Sequence, residues 1–347
     1  MLDATRATYL RGHVAMWALT NRTPYAAERS WVRDKRGMHH WVVAVKATFA
    51  IAEDGALTLA DAQLPPLLAP EHFGEPAVTS VRYDTDVGPV KPATDVLVNA
   101  SAHAPGGRPA RAVSVALRID GRQKVLTVYG DRVYQETVAG VVAREAAPFV
   151  TQPIRYELAY GGVDTRARDP LDHAIDPRNP IGRGFAVDRT ALVGARAHVI
   201  EHADGDDASR GPAGFGAIAC SWAPRLAYAG TYDGAWARSK RPLLPDDYDD
   251  RFTLSAPVDQ RFEGHLRGGE RFELVHMTPG GVLRFTLPTR AFTFRTAIGR
   301  RREEHHARLA TVLVEPDDAR LVMTWQTSLA VASRDTAYLD QTVVTEA

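Results

Sequence analysis

Apolar residues in this 347-residue chain recur mostly with a period of two, the spacing of strands that bury one face. In residues 41–51, Trp41, Val43, Val45 and Phe49 alternate with Lys46 and Thr48, which predicts a half-buried strand ending at the turn Glu53-Asp54-Gly55. Residues 112–129 read as a hairpin: Val113, Val115, Leu117 and Ile119 share a face, and 125–129 form the return strand. Asp120-Gly121 between them predicts a type I′ turn, whose two central residues both need positive φ. Ile154, Tyr156, Leu158 and Tyr160 alternate into Gly161-Gly162, and 283–287, 291–295 and 309–314 are short strands. Leu321, Met323, Trp325, Thr327 and Leu329 mark the last long strand, reached across Glu315-Pro316-Asp317-Asp318. Helical spacing is confined to 190–203, 235–238 and a start at 256–260, where Pro257 precedes an acid. None is long enough for the crossover of a βαβ unit. The expectation is a mainly β protein of antiparallel, sandwich-like sheets, with long ordered loops and a few short helices. It forms one unit over 1–347, or two lobes, 1–147 and 153–347, divided at 146–152. The acidic, glycine-rich stretch 205–214 reads as flexible.

Composition narrows the function classes. An apolar fraction of 45% and a charged fraction of 24% are those of a soluble globular chain. Forty-two basic residues balance forty-two acidic ones, which removes the footprint of a dedicated nucleic-acid binder. Lysine stands only at 35, 46, 91, 124 and 240; the arginine bias fits a GC-rich genome or a need for bidentate contacts. Cys220 is the only cysteine, so no intrachain disulfide forms and a reducing compartment fits. The apolar run 14–19 is too short for a signal-peptide core and no stretch is long enough for a membrane span. A cytoplasmic protein without a membrane partner is expected.

Several short motifs carry an enzymatic reading beside a structural one. His198-Val199-Ile200-Glu201-His202 has the H-x-x-E-H order of inverted zinc proteases. On a helix, His198 and His202 would bind zinc with Glu201 as general base and Glu270 or Glu273 as third ligand; the alternative is a surface helix end. Gly214-Phe215-Gly216-Ala217-Ile218-Ala219 matches a dinucleotide fingerprint but follows a loop and not a strand. Cys220 is a candidate nucleophile or a small core residue. Asp246, Asp247, Asp249 and Asp250 lack the order of a calcium loop and read, like Asp84 and Asp86, as solvated turns. His39-His40 and His305-His306 read as exposed. Trp222, Tyr228, Tyr232, Trp236, Tyr248, Arg225, Arg238 and Arg241 are of the types that dominate interfaces, or anchor long loops from beneath. Exposed Trp222 and Trp236 would also suit a carbohydrate-binding module.

A further pattern is collinear. Lys91-Pro92-Ala93-Thr94-Asp95-Val96-Leu97-Val98, Ala104-Pro105-Gly106-Gly107 and Tyr129-Gly130-Asp131-Arg132 are followed by YELAYGG at 156–162 and NPIGRG at 179–184. Gly214-Phe215-Gly216, AGTYD at 229–233, Trp236, PLLP at 242–245 and APVDQ at 256–260 continue it. From about Val14 to about Val331 the chain resembles the family catalogued as domain of unknown function 2169. That family is associated with bacterial type VI secretion, where members resemble adaptors or chaperones that load an effector onto the spike tip. The resemblance implies a non-enzymatic protein without cofactor, whose partners are a toxin effector and spike proteins (VgrG/PAAR-like). Family members tend to read Pro-Asn-aliphatic-Glu about Glu201, so Glu201 matches while His198 and His202 do not. No catalytic set is carried over. Arg225, Tyr232, Trp236 and Arg241 are the candidate partner contacts.

Overall fold

Strand His39–Ile51 is where the sequence pattern and the fold meet. In the computed structural model, which describes residues 17–205 and 207–347, this strand lies near one end of a seven-stranded sheet. The order runs Arg261–Glu263, Ala93–Val98, Arg308–Glu315, Arg320–Val331, His39–Ile51, Ala26–Arg33, with Leu57–Leu59 also pairing with His39–Ile51. Only Ala93–Val98 and Arg308–Glu315 run parallel; the other pairs are antiparallel. A five-stranded antiparallel sheet orders Ile200–His202, Arg122–Tyr129, Ala112–Ile119, Arg271–Val275 and Val282–Thr286. A four-stranded sheet orders Ala18–Asn21, Leu339–Glu346, Phe292–Ile298 and Arg301–His306. The described residues are 43% strand and 13% helical, and the α-helices among them are Asp207–Arg210 and Gly234–Ser239. The protein is therefore mainly β with mostly antiparallel sheets. The apolar run 14–19 falls partly outside the described residues.

One contiguous buried cluster draws on all three large sheets, from Tyr25 and Trp41 through Leu117 and Phe272 to Phe294 and Val344. Across it Trp41 Nε1 donates to Thr342 Oγ1 at 2.7 Å, and the Phe292 ring meets Tyr25 and Trp325 edge-on at 5.6 and 5.0 Å. Such edge contacts add directional attraction to the area buried.

Local departures from the pattern have local causes. Lys46 and Thr48, expected on a wet face, are buried, because residues 63–91 lie over that face of the sheet. Gln63 caps the Thr48 backbone amide and carbonyl, and Asp86 receives Lys46 Nζ at 2.8 Å. The hairpin turn at Asp120-Gly121 has two residues, but only Asp120 takes positive φ (48°), so it is not of the I′ type. The Asp120 amide and carboxylate are held by the Arg271 backbone carbonyl and amide. Residues 154–159 are not a strand: Tyr156–Leu158 is a 3₁₀ turn, and only Tyr160–Gly161 pairs, with Arg183–Gly184. There Asn179 Nδ2 donates to the carbonyls of Tyr156 and Tyr160, pulling the segment out of a ladder. Residues 190–203 are not helical beyond Arg189–Leu192, and Ile200–His202 pairs with Leu126–Val128 as an edge strand.

Candidate partner-binding surface

The turn-rich segment 214–260 is pinned at both ends to strand Ala93–Val98. At the first end Phe215, 1% exposed, accepts from Val98 N through its carbonyl. At the second, Gln260 Nε2 donates to the carbonyls of both Val96 and Phe215 at 2.7 and 2.9 Å. Ser255 N donates to Asp95 Oδ2 at 2.8 Å, and Lys91 Nζ reaches the same oxygen at 2.7 Å. Ile218 N donates to Ser255 O and closes the loop at its neck. The motif residues Lys91, Asp95, Phe215 and Gln260 thus form one buried clamp. Lys91 Nζ, Gln260 Nε2 and Asp95 Oδ2 each have partners that replace water, as burial demands. Gly214 belongs to this packing: a Cβ there would lie 2.6 Å from Tyr156 Cε1. No helix opens within the Gly214–Ala219 stretch, so it is not a phosphate turn.

Arg225 is the peg inside the loop. It is 4% exposed and its guanidinium reaches Asp84 at 2.7 Å and the carbonyls of Phe252 and Ile218 at 2.8 Å each. This corrects its assignment as a partner contact: its donors face inward. Asp84 and Asp86, expected in solvated turns, are acceptors in this interior. Trp222 is likewise buried and meets Tyr156 edge-on at 5.7 Å, so it is no exposed platform for sugar.

The other three candidates gather on the outer arm. Helix Gly234–Ser239 starts at Asp233, whose side chain accepts from Trp236 N at 2.8 Å as an N-cap does. Tyr232, 52% exposed, sets its ring edge-on to Trp236 at 4.8 Å. Trp236 is half-buried, and its Nε1 donates to Leu243 O at 2.9 Å. Arg241 is exposed, and its amide donates to Trp236 O. The acidic cluster below braces this arm. Asp247 accepts from Thr231 N and Oγ1 at 3.0 and 2.7 Å, and these donors hold its carboxyl below the ordinary range. Asp246 pairs with Lys240, and Asp249 with Arg251.

The arm rests on the tip of the hairpin formed by Ala26–Arg33 and His39–Ile51. Lys35 Nζ donates to the carbonyls of Asp246 and Tyr248 at 3.1 and 3.0 Å. Burial pushes the Tyr248 hydroxyl up to about 12, so it stays neutral. Between arm and hairpin lies a groove of about 340 Å³, walled by Val32, Lys35, His40, Val90, Leu244 and Tyr248. Alongside runs Ala26–Arg33, the outermost strand of the seven-stranded sheet. His39 and His40, expected to be exposed, are half-buried here: Trp31 Nε1 donates to His39 Nδ1 at 2.9 Å.

The H-x-x-E-H string lies elsewhere, entering the edge strand Ile200–His202. Burial would raise the Glu201 carboxyl, but His198 and Arg132 hold it below its ordinary value. His198 Nε2 lies 3.2 Å from Glu201 Oε1, Arg132 pairs with the same carboxylate, and Tyr134 OH bonds His198 Nδ1 at 2.8 Å. The helix that would present both histidines on one face is not formed. Glu270 caps Arg267 N and Gly268 N, and Glu273 pairs with Arg118 and Arg284. Among the described residues no cluster of three or more His, Cys, Asp or Glu has metal-site geometry. Cys220 is exposed and not a core residue.

Fold and loops together define a β-sheet scaffold that displays a braced aromatic arm. The family model described as "Uncharacterized protein conserved in bacteria (DUF2169)" matches residues 36–326, and the chain belongs to that family. No curated protein and no solved structure matches it. No helix among the described residues is long and apolar enough to cross a membrane.

Proposed function

We propose that the protein is a non-enzymatic, cytoplasmic adaptor of type VI secretion that binds a toxin effector and presents it to the spike proteins. The observation that supports this reading is the outer arm. Tyr232 and Trp236 stand at the surface on a loop whose neck and underside are locked by Ser255, Arg225 and Lys35. A pre-ordered aromatic surface loses little conformational entropy on binding, and Tyr, Trp and Arg are the usual hot-spot residues. The adjoining groove and outermost strand extend the contact area. Cargo must be released at the spike, which favours an interface of moderate size with a polar rim.

The test is co-expression with the toxin and the spike protein encoded beside it, followed by size-exclusion chromatography and calorimetry of the purified pair. A stoichiometric complex is expected, weakened about tenfold or more by Tyr232→Ala; Arg241→Glu is expected to slow association. Absence of a complex with either protein would overturn the reading. A complex indifferent to both substitutions would move the interface off this arm.

A further inference from the structure

A second surface has different chemistry. The backbone between Asp131 and Tyr134 is flanked on both sides: Tyr134 N and Ala197 N bond across to Ala195 and Arg132, and Arg144 N and Ala147 N donate to Val133 and Asp131. Val133 is bridged to Arg196, and the pairing Tyr134↔Ala143 puts Arg144 opposite Val133 on the other side. Residues opposite one another in an antiparallel ladder project to one face. Arg196, Val133 and Arg144 therefore form a cross-ladder row. Arg183, on the short strand Arg183–Gly184 that pairs with Tyr160–Gly161, lines with these three a cleft of about 640 Å³.

This cleft carries a charge excess that the chain as a whole does not, since its total charge is zero. Two of its five arginines are already neutralised, Arg111 by Glu145 and Arg132 by Glu201. Arg132 is further fixed over the Tyr129 ring at 4.0 Å and donates to His198 O. Among the described residues, the side chains of Arg144, Arg183 and Arg196 find no acceptor. Asp131 and, beside Arg183, Glu157 are the acids that face these three, so the excess is one positive charge. Arg183 is half-buried, and its burial, with the Arg196 charge next, pushes its guanidinium below its ordinary value. Holding like charges together while half-desolvating one of them is unfavourable unless an anion joins them.

We propose that this cleft binds a phosphate group, held by the forks of Arg183 and Arg196 with Arg144 at its mouth. A phosphate brings three acceptor oxygens and more than one negative charge to three guanidinium groups that lack an acceptor, whereas a single carboxylate offers only two oxygens. Bidentate guanidinium pairing is suited to such oxygens. The cleft is several times larger than one phosphate, and Val133, Ala146 and Pro148 give it an apolar wall for the remainder of a phosphorylated small molecule. The inference is independent of the adaptor reading.

Calorimetric titration of the full chain with inorganic phosphate and pyrophosphate at low salt tests this, with an oligoglutamate peptide as a separate arm. Pyrophosphate is expected to bind with a Kd of about 1 mM or tighter, weakened about tenfold or more in Arg183→Gln and in Arg196→Gln and unchanged in the remote Arg301→Gln. Should Arg183→Gln fail to fold, the exposed Arg196→Gln and Arg144→Gln carry the test. No heat up to about 10 mM, or equal binding in Arg196→Gln and Arg144→Gln, would overturn the assignment. Binding of oligoglutamate without pyrophosphate would overturn it too, giving the cleft to an acidic protein segment.

Discussion

Lys91 and Asp95 show how much rests on single side chains. Both are nearly inaccessible, 2.7 Å apart, and Asp95 also holds Ser255. Removing one partner strands a buried charge, so Asp95→Asn or Lys91→Met is expected to cost about 3–5 kcal/mol in urea unfolding, while an apolar replacement of both recovers part of it. His305 sets a pH dependence. Its nitrogens bond to the hydroxyls of Thr296 and Thr327 at 2.8 Å each, and its ring stacks on Phe294. Burial, then the neighbouring His306, lowers its pKa from 6.5 to about 4. The unfolded chain thus binds more protons between these values, and stability falls as pH drops from about 6.5 to about 4. Equilibrium unfolding across that range should lose up to about 3 kcal/mol, and His305→Gln should flatten the curve. The pair His305-His306 had read as exposed because a local pattern cannot show that Thr327, on another strand, closes over the first ring.

At the scale of elements, the long strands were legible because their alternation is intrinsic to the pleat. What escaped was set by distant contacts. Nothing near residues 198–202 announces Arg132, which pairs with Glu201, or the ladder with Leu126–Val128 that makes a strand of a helix-like string. Arg225 looked like an interface residue by type, and only the placement of Asp84 reveals an internal peg. The grouping of Tyr232, Trp236 and Arg241 was legible, because a short helix with an N-cap joins them locally. The glycines of the blocks 156–162 and 179–184 are packing requirements. At Gly161, φ is +143° and an added Cβ would meet Asn179 O at 2.2 Å, so Gly161→Ala is expected to lower stability by about 1–3 kcal/mol in thermal or urea unfolding.

For the whole molecule, the seven-stranded sheet is the frame on which the arm and the clamp are mounted. Lys35 couples that frame to the arm through the Asp246 and Tyr248 carbonyls. Lys35→Ala is expected to leave the global unfolding midpoint nearly unchanged while speeding limited proteolysis within 240–250, since local opening has its own free energy; equal cleavage rates would show that the arm is braced elsewhere. The neck at Ile218 and Ser255 has a broader implication. A loop that leaves and re-enters its frame at adjoining points can change in length and sequence without altering the strand order beneath it. With the Arg225 peg and the Ser255 clamp kept, residues 229–250 are expected to be exchangeable as a block: a chimera that carries a relative's arm should keep this frame and take on that relative's choice of partner.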